Sequence, residues 1–265
     1  MIRELKDYEK TLPIIKFGDF PVVKADERVA PLDPAKAIYP EDINIILDET
    51  KVPDISGYCM LDNGASYVSV KTALPGVTKE MLQWMVAWQG LEPANYMVLN
   101  PETHHSAAIS DIDRDKINRK FLSIEQKCQG IYVYQINKIN NELEGTIVSY
   151  LSPADQGFDP DVYVASGALT IGGAVLRQAH EEKDPQKKSI NIMISVVRDA
   201  EDGVDVHTHL WGGYKILRRE SKRFDVNGIQ PTEEYTEMLA NYIADEWAQI
   251  GNILPKLYVE VQTAL

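Results

Sequence analysis

Cysteine is nearly absent from this chain: Cys59 and Cys128 are the only two in 265 residues. They form no metal-binding pair, so no disulfide framework and no cysteine-rich zinc fold is expected, and they read as two core thiols in a reducing compartment. Long apolar runs are missing as well. No stretch approaches the roughly 20 residues of a transmembrane helix, and the start MIRELKDYEK has no apolar signal core, which predicts a cytoplasmic protein. Basic residues are scarce beside acidic ones, 27 Lys and Arg against 40 Asp and Glu, giving a formal charge of -13 and a pI near 4.9. That balance argues against nucleic acid and against an anionic membrane, since both need clustered cations. A small-molecule partner fits better. There is no GxSxG elbow, no phosphate loop and no dinucleotide turn: Gly167, Gly172 and Gly173 in GALTIGGAVL have the wrong spacing and read as flexible or closely packed backbone.

What is present is the ordinary composition of a globular protein, 44% hydrophobic and 25% charged. Residues 1–56 carry most of the early prolines (Pro13, Pro21, Pro31, Pro34, Pro40, Pro53) and no sustained period, which predicts an extended arm with short helical turns packed on a single domain, 57–265. From Gly57 the pattern alternates. GYCML and ASYVSVKT flank Asp62-Asn63-Gly64, a hairpin signal. Thr78 caps a helix through Met81, Leu82, Met85 and Trp88 that stops at Gly90. Further strands are expected at ANYMVLN, GIYVYQINKI, GTIVSYL, PDVYVASG, SINIMISVVR and GVDVHTHLWGGYKIL, while HEEKDPQKK from His180 reads as a solvated connection. Many strands with few helices between them imply an α+β fold in which one long terminal helix covers, or is gripped by, an antiparallel sheet.

That helix holds the most informative residue. After Thr232, the residues Leu239, Tyr242, Ile243, Ile250, Ile253, Leu254 and Leu257 recur at helical spacing, and Glu246 stands inside the row. An isolated buried carboxylate costs several kcal/mol, so such a group is protonated, paired or metal-bound; the plainer account is a side chain at the stripe's edge reaching water. Four of the five histidines form two clusters, His104 with His105 and His207 with His209. On an extended chain at most one of the first pair faces a pocket. The second pair shares a strand face, which allows chelation but more often marks a solvent face. Asp111, Asp113 and Asp115 resemble the start of a calcium loop, yet Lys116 and Leu122 occupy the positions that need Gly and Glu, so calcium is not expected.

The run GYCMLDNGASYVSVKTALPGVTKEMLQWMVAWQGLEPANYMVLNPETHH, with SPADQGFDP, SVVRDAEDGVDVHTHLWGG and ADEWAQIGNILPKLY, resembles the diacetylphloroglucinol hydrolase and phloretin hydrolase family from about residue 25 to the C-terminus. The resemblance implies a helix-grip fold like that of Bet v 1 and START-type proteins, a curved antiparallel sheet around a long C-terminal helix. It implies hydrolysis of the carbon–carbon bond between an acyl group and a phloroglucinol ring, assisted by Zn2+ held by two His and two Glu. Of those ligands, one falls on His104 and one on Glu246, whereas the helical His position is Tyr242 and the strand Glu position is Gln135. The substrate-side tyrosine falls on Tyr96, and the pocket Asn, His and aromatic positions on Ala107, Ser195 and Leu210; Gln89 and Asn95 replace the His and Arg of a neighbouring motif. A neutral amide and a phenol are poor zinc donors, and one carboxylate compensates a divalent cation less well than two, so zinc binding is expected to be weakened.

Two readings follow. In the first, an enzyme hydrolyses an acylated polyphenol or related β-diketone-like compound, with His104 and Glu246 catalytic or metal-holding, Gln135 a weak third donor, and Tyr96 orienting the substrate. In the second, a metal-free descendant binds a small aromatic or polyketide-like ligand, or catalyses cyclisation or isomerisation, with His104, Gln135, Tyr242 and Glu246 as a polar cluster. A homodimer is compatible with either reading.

Overall fold

The computed structural model describes residues 21–139, 142–179, 188–224 and 230–264. The charged run from His180 lies outside them, apart from Lys188.

Alternation and turn chemistry build the first elements as expected. Strands β1 (Gly57–Met60) and β2 (Ser66–Pro75) pair antiparallel around a turn in which Gly64 takes φ +76°, a conformation that favours glycine. The Thr78 hydroxyl accepts the Met81 N–H at the start of helix α1 (Lys79–Trp88). Helix α2 (Pro93–Leu99) leads to strand β3 (His104–Ile109). The aspartate cluster then forms part of helix α3 (Asp111–Ile117), where the Ser110 hydroxyl accepts from the Asp113 N–H; these residues serve a helix start rather than an ion loop. Helix α4 (Ile124–Cys128) precedes β4 (Ile131–Ile139) and β5 (Glu142–Tyr150). Short helices α5 (Pro153–Gln156) and α6 (Pro160–Ser166) lead into β6 (Leu169–Ala179), β7 (Ser189–Ala200) and β8 (Gly203–Gly212). A separate hairpin, β9 (Tyr214–Leu217) and β10 (Glu220–Arg223), precedes the long helix α7 (Glu233–Ala264).

Two segments expected as strands are helices. ANYMVLN forms α2 and PDVYVAS forms α6, each with proline in its first turn, where a missing N–H costs nothing. Conversely, β3 and β6 occupy stretches in which no strand was expected. In β6, Gly172 has φ +119° and a Cβ there would lie 2.1 Å from the Met193 carbonyl oxygen, so the backbone is closely packed.

The eight strands β1 to β8 make one antiparallel sheet in the order β1-β2-β8-β7-β6-β5-β4-β3. Helix α7 packs chiefly on β2, and also on β1, α1 and α2. Its stripe, Leu239, Ile243, Ile250, Ile253, Leu254 and Leu257, is buried in one cluster with Val68, Val70, Val133, Val206 and Leu210 of the sheet. The molecule is a helix-grip fold. The opposite sheet face is covered too: Ile38, Ile43, Ile46 and Leu47 cluster with Tyr67, Ile192, Ile194, Val196 and Trp211, and the Trp211 indole N–H donates to the Ile38 carbonyl at 2.6 Å. Burial on both faces gives β7 its nearly continuous apolar run.

Cys59 and Cys128 are buried free thiols, and burial pushes both up in pKa, Cys59 to about 11 and Cys128 to about 12. Among the described residues no helix is long and apolar enough to cross a membrane.

Candidate functional site

Between α7 and the inner sheet face lies a cavity of about 110 Å³, walled mainly by apolar side chains such as Met85, Val148, Val175 and Ile243. Its polar lining is Gln89, Tyr96, Gln135, Asn137, Thr146, Tyr150, Arg177, Ser195, Thr208, Tyr242 and Glu246.

Glu246 enters this wall from the middle of α7 with a side chain only 18% exposed. Of the two sequence-based accounts, water at the stripe's edge and a paired carboxylate, the second holds. One carboxylate oxygen lies 2.9 Å from His104 Nε2, and the other accepts from the Asn100 side-chain amide at 2.9 Å. His104 stands at the start of β3, buried. Its Nδ1 lies 2.8 Å from the Tyr96 carbonyl oxygen; a carbonyl only accepts, so Nδ1 carries a proton. Nε2 then faces a carboxylate oxygen, and the short contact requires a second proton between them, on one atom or the other. The two side chains therefore share one proton, with Glu246 in the cavity wall and His104 outside the lining.

Tyr96 fixes this dyad in two ways. Its backbone orients the imidazole, and its ring stacks on the imidazole with centroids 3.6 Å apart and planes 7° from parallel. Its hydroxyl donates to Asn137 Oδ1 at 2.6 Å, and Asn137 donates on to Thr146 Oγ1 at 3.3 Å. Burial first, then the nearby Tyr242 and Glu246, raise the Tyr96 pKa well above the ordinary phenol value. The group stays a neutral donor.

Gln135 and Tyr242 also reach the cavity. The Gln135 amide nitrogen donates to Gln89 Oε1 at 3.2 Å, and Gln89 donates to the Tyr150 hydroxyl at 2.9 Å. Tyr150 is raised to about 12, by burial above all. Tyr242 lies one helical turn before Glu246, and burial followed by that carboxylate raises its pKa too. Ser195 reaches the cavity and shares a 2.8 Å hydrogen bond with Thr208, whose hydroxyl oxygen also accepts the Trp247 indole N–H at 2.7 Å.

Several expectations are corrected. Leu210 is fully buried in the core and is not part of the cavity wall. His207 and His209 are neither solvent-facing nor turned to the cavity, because Thr208 between them takes the inward position. They lie on the opposite sheet face, 6% and 0% exposed, with His207 Nε2 2.7 Å from the Ser69 hydroxyl and His209 Nδ1 2.9 Å from the Tyr67 hydroxyl. The segment packed over that face removes both from water. They cannot complete a metal site with Glu246. Ala107 is buried on β3 and brings no polar group.

The donor set does not fit zinc held by two His and two Glu. One imidazole nitrogen and one carboxylate oxygen already bond to each other, a neutral amide is turned toward Gln89, and a neutral phenol stands at the fourth position. Among the described residues no group of three or more His, Cys, Asp or Glu gathers to hold an ion.

Sequence reasoning missed Arg177, Asn137 and Thr146, which share one stretch of wall. Thr146 pairs with Gln135 on one side and Arg177 on the other, and Glu144 pairs with Asn137. Arg177 is 5% exposed; its Nη1 is 3.4 Å from Glu144 Oε1, and its guanidinium carbon is 5.9 Å from the Tyr242 ring centre. Burial opposes its charge, but Tyr235, Glu144 and Tyr242 outweigh that and raise its pKa.

An antiparallel sheet gripping a helix around a cavity of mostly apolar surface, on which several polar side chains converge, defines a small-molecule site of the helix-grip class. Residues 38–259 match the family model described as the DAPG hydrolase PhiG domain, and the chain belongs to that family. It is 23% identical over 232 residues to a 2,4-diacetylphloroglucinol hydrolase of Pseudomonas protegens, covering 84% of this chain and 74% of that protein. It is also 23% identical over 243 residues to a phloretin hydrolase of Eubacterium ramulus, covering 87% and 81%. Among solved structures, the crystal structure of Ara h 8.0201 aligns with a TM-score of 0.42 and 8% identity, over 72% of this chain and 99% of that one.

Proposed function

We propose that the protein hydrolyses the carbon–carbon bond between an acyl group and an electron-rich phenolic ring, and that the His104–Glu246 dyad carries the proton transfers. The observation that carries this reading is the 2.9 Å contact between His104 Nε2 and Glu246 Oε1, with Glu246 at the wall of a cavity of mostly apolar surface. Membership of a family whose named relatives hydrolyse such compounds supports it.

The substrate enters with one ring hydroxyl ionised, and the dyad's proton goes to the ring carbon that bears the acyl group, giving the ring a neutral keto form. Glu246, now ionised, takes a proton from a water molecule as that water adds to the acyl carbonyl. The ring–acyl bond then breaks, its electron pair returns to the ring as phenolate, and the acyl group leaves as a carboxylic acid. One water is consumed and the dyad regains its proton. His104, oriented by the Tyr96 carbonyl and ring, keeps the proton within reach throughout. The Asn100 amide holds the second oxygen of Glu246 and fixes the carboxylate plane.

A second reading rests on the donor set: with Gln135 and Tyr242 at positions where the resemblance implies zinc ligands, the same dyad supports proton shuttling without water, as in a cyclase or isomerase, or simple ligand binding. Acetate release from 2,4-diacetylphloroglucinol separates them. Glu246→Gln is expected to lower that release at least ~100-fold while leaving the thermal melting curve in place. A native protein that binds this compound and releases no acetate overturns the hydrolytic reading, and a fully active Glu246→Gln overturns the role of the dyad.

A further inference from the structure

Arg177 has no assigned task in the proton chemistry, yet it is the one cationic side chain in the cavity wall among the described residues. Its surroundings leave it incompletely satisfied. A guanidinium offers five N–H donors, and a buried one normally meets carboxylate oxygens at about 2.7–2.9 Å through a paired fork. Here one longer contact, 3.4 Å from Nη1, reaches Glu144, and the Tyr235 hydroxyl also meets the guanidinium. Glu144 also accepts from the Tyr235 hydroxyl at 3.2 and 3.1 Å, one distance to each oxygen. Arg177 Nε is buried and has no hydrogen-bond partner at all. A buried cation with an orphaned donor is costly unless something else completes it.

We propose that Arg177 is the anion-binding group of the cavity and holds the ionised oxygen of an acylated phenol, so that the bound substrate is the phenolate. Three observations carry this: the unpartnered Nε, the position of Arg177 in the wall beside Thr146, and the Tyr242 ring against the guanidinium. Tyr242 and Glu246 are four residues apart on α7, about 6 Å along the axis. Arg177, Tyr242 and Glu246 all line the same cavity, so one bound ring can meet both the cation and the proton donor. An oxygen anion at Arg177 raises the electron density of the ring that accepts the proton from Glu246. After the bond breaks, the same guanidinium receives the electron pair returned to the ring. Glu144 tempers the cation, so the site selects a delocalised oxyanion without trapping it.

This assignment rests on the cavity being a site for acylated phenols, and the test keeps the two apart. The probe is 2,4,6-trihydroxyacetophenone, whose phenolate absorbs at longer wavelength than its neutral form, titrated with pH in the presence of the full chain. The apparent pKa of the bound phenol should fall by about one unit or more, a preference of about tenfold for the anion. Arg177→Met should abolish that shift. Because Arg177→Met strands Glu144 and can fail to fold, Glu144→Gln provides an independent arm. It keeps an acceptor for Tyr235 while removing the competing charge, so it should tighten phenolate binding by about threefold or more. A purely structural ion pair predicts the opposite, with Glu144→Gln weakening binding or leaving it unchanged. Absence of the shift in the native protein, its survival in Arg177→Met, no tightening in Glu144→Gln, or no binding of the probe overturns the assignment. Acetate release without a phenolate shift removes only the role of Arg177; a phenolate shift without acetate release removes only the hydrolysis.

Discussion

Gln135 stands where the resemblance implies a carboxylate ligand, and its amide is occupied by Gln89, which stands where the resemblance implies a histidine. The two amides satisfy each other. Restoring the ligand types should therefore restore the ion: a Gln135→Glu, Tyr242→His double variant is expected to hold about one zinc per chain, read by elemental analysis, while the native chain prepared alongside holds far less than one. Stoichiometric zinc in the native chain would show that His104 and Glu246 suffice with weak donors, contrary to the argument from donor chemistry. Tyr96→Phe tests the neighbouring hydrogen bond. It preserves the stacked ring and the carbonyl that orients His104, but leaves buried Asn137 Oδ1 without its 2.6 Å donor. A loss of about 1–3 kcal/mol in urea unfolding is expected; an unchanged midpoint would mean that the amide turns to another donor. At this scale Glu246 was legible because a carboxylate interrupts an apolar row. Arg177 was not, because no strand was expected around it, and its partner Glu144 lies 33 residues away on another strand. Only the register between β5 and β6 brings them to the same wall.

Elements that alternate cleanly or carry caps were readable: the Asn63-Gly64 hairpin, the Thr78 cap and the α7 stripe all form where pattern and turn chemistry place them. Two misread elements show where period alone fails. In α6, Val162, Tyr163 and Val164 suggest a strand, yet Asp159 caps the N–H groups of Asp161 and Val162, Pro160 opens the first turn, and Gly167 ends it at φ +63°. Capping at both ends outweighs β-propensity in seven residues. Strand β6 was hidden by its glycines, which weaken a strand pattern but permit this one: Gly172 lines the cavity and lies against the β7 backbone. Gly172→Ala meets both a positive φ and a carbonyl oxygen 2.1 Å from the new Cβ. It should cost on the order of 3 kcal/mol, read as a lowered unfolding midpoint. An alanine variant as stable as the native chain would mean that β6 can shift without strain.

At the scale of the molecule, the sheet is buried on both sides, and the covering of its outer face has a pH-dependent consequence. His207 and His209 lie there with stacked rings 4.4 Å apart. Tyr67, Ser69 and Lys71 face them from β2, and Arg198 and Asp54 act on the His207 charge from neighbouring segments. Burial first, then Lys71 and Arg198, lower His207 from 6.5 to about 4, and His209 is lowered well below its ordinary value by burial and by its neighbour. Both are neutral in the folded protein. The folded state therefore refuses a proton that the unfolded chain accepts once the pH drops below 6.5. The contribution to stability is complete above that value and declines as pH falls from 6.5 toward 4. Between pH 7 and pH 5 the loss attributable to His207 is about 2 kcal/mol. His207→Gln retains a partner for Ser69 and cannot take up a proton, so it separates this term from the titration of the many carboxylates. Urea unfolding of both proteins at the two pH values should show the native chain losing about 2 kcal/mol more than the variant. Equal losses would mean that the segment over β8 opens locally and lets His207 protonate without unfolding the sheet.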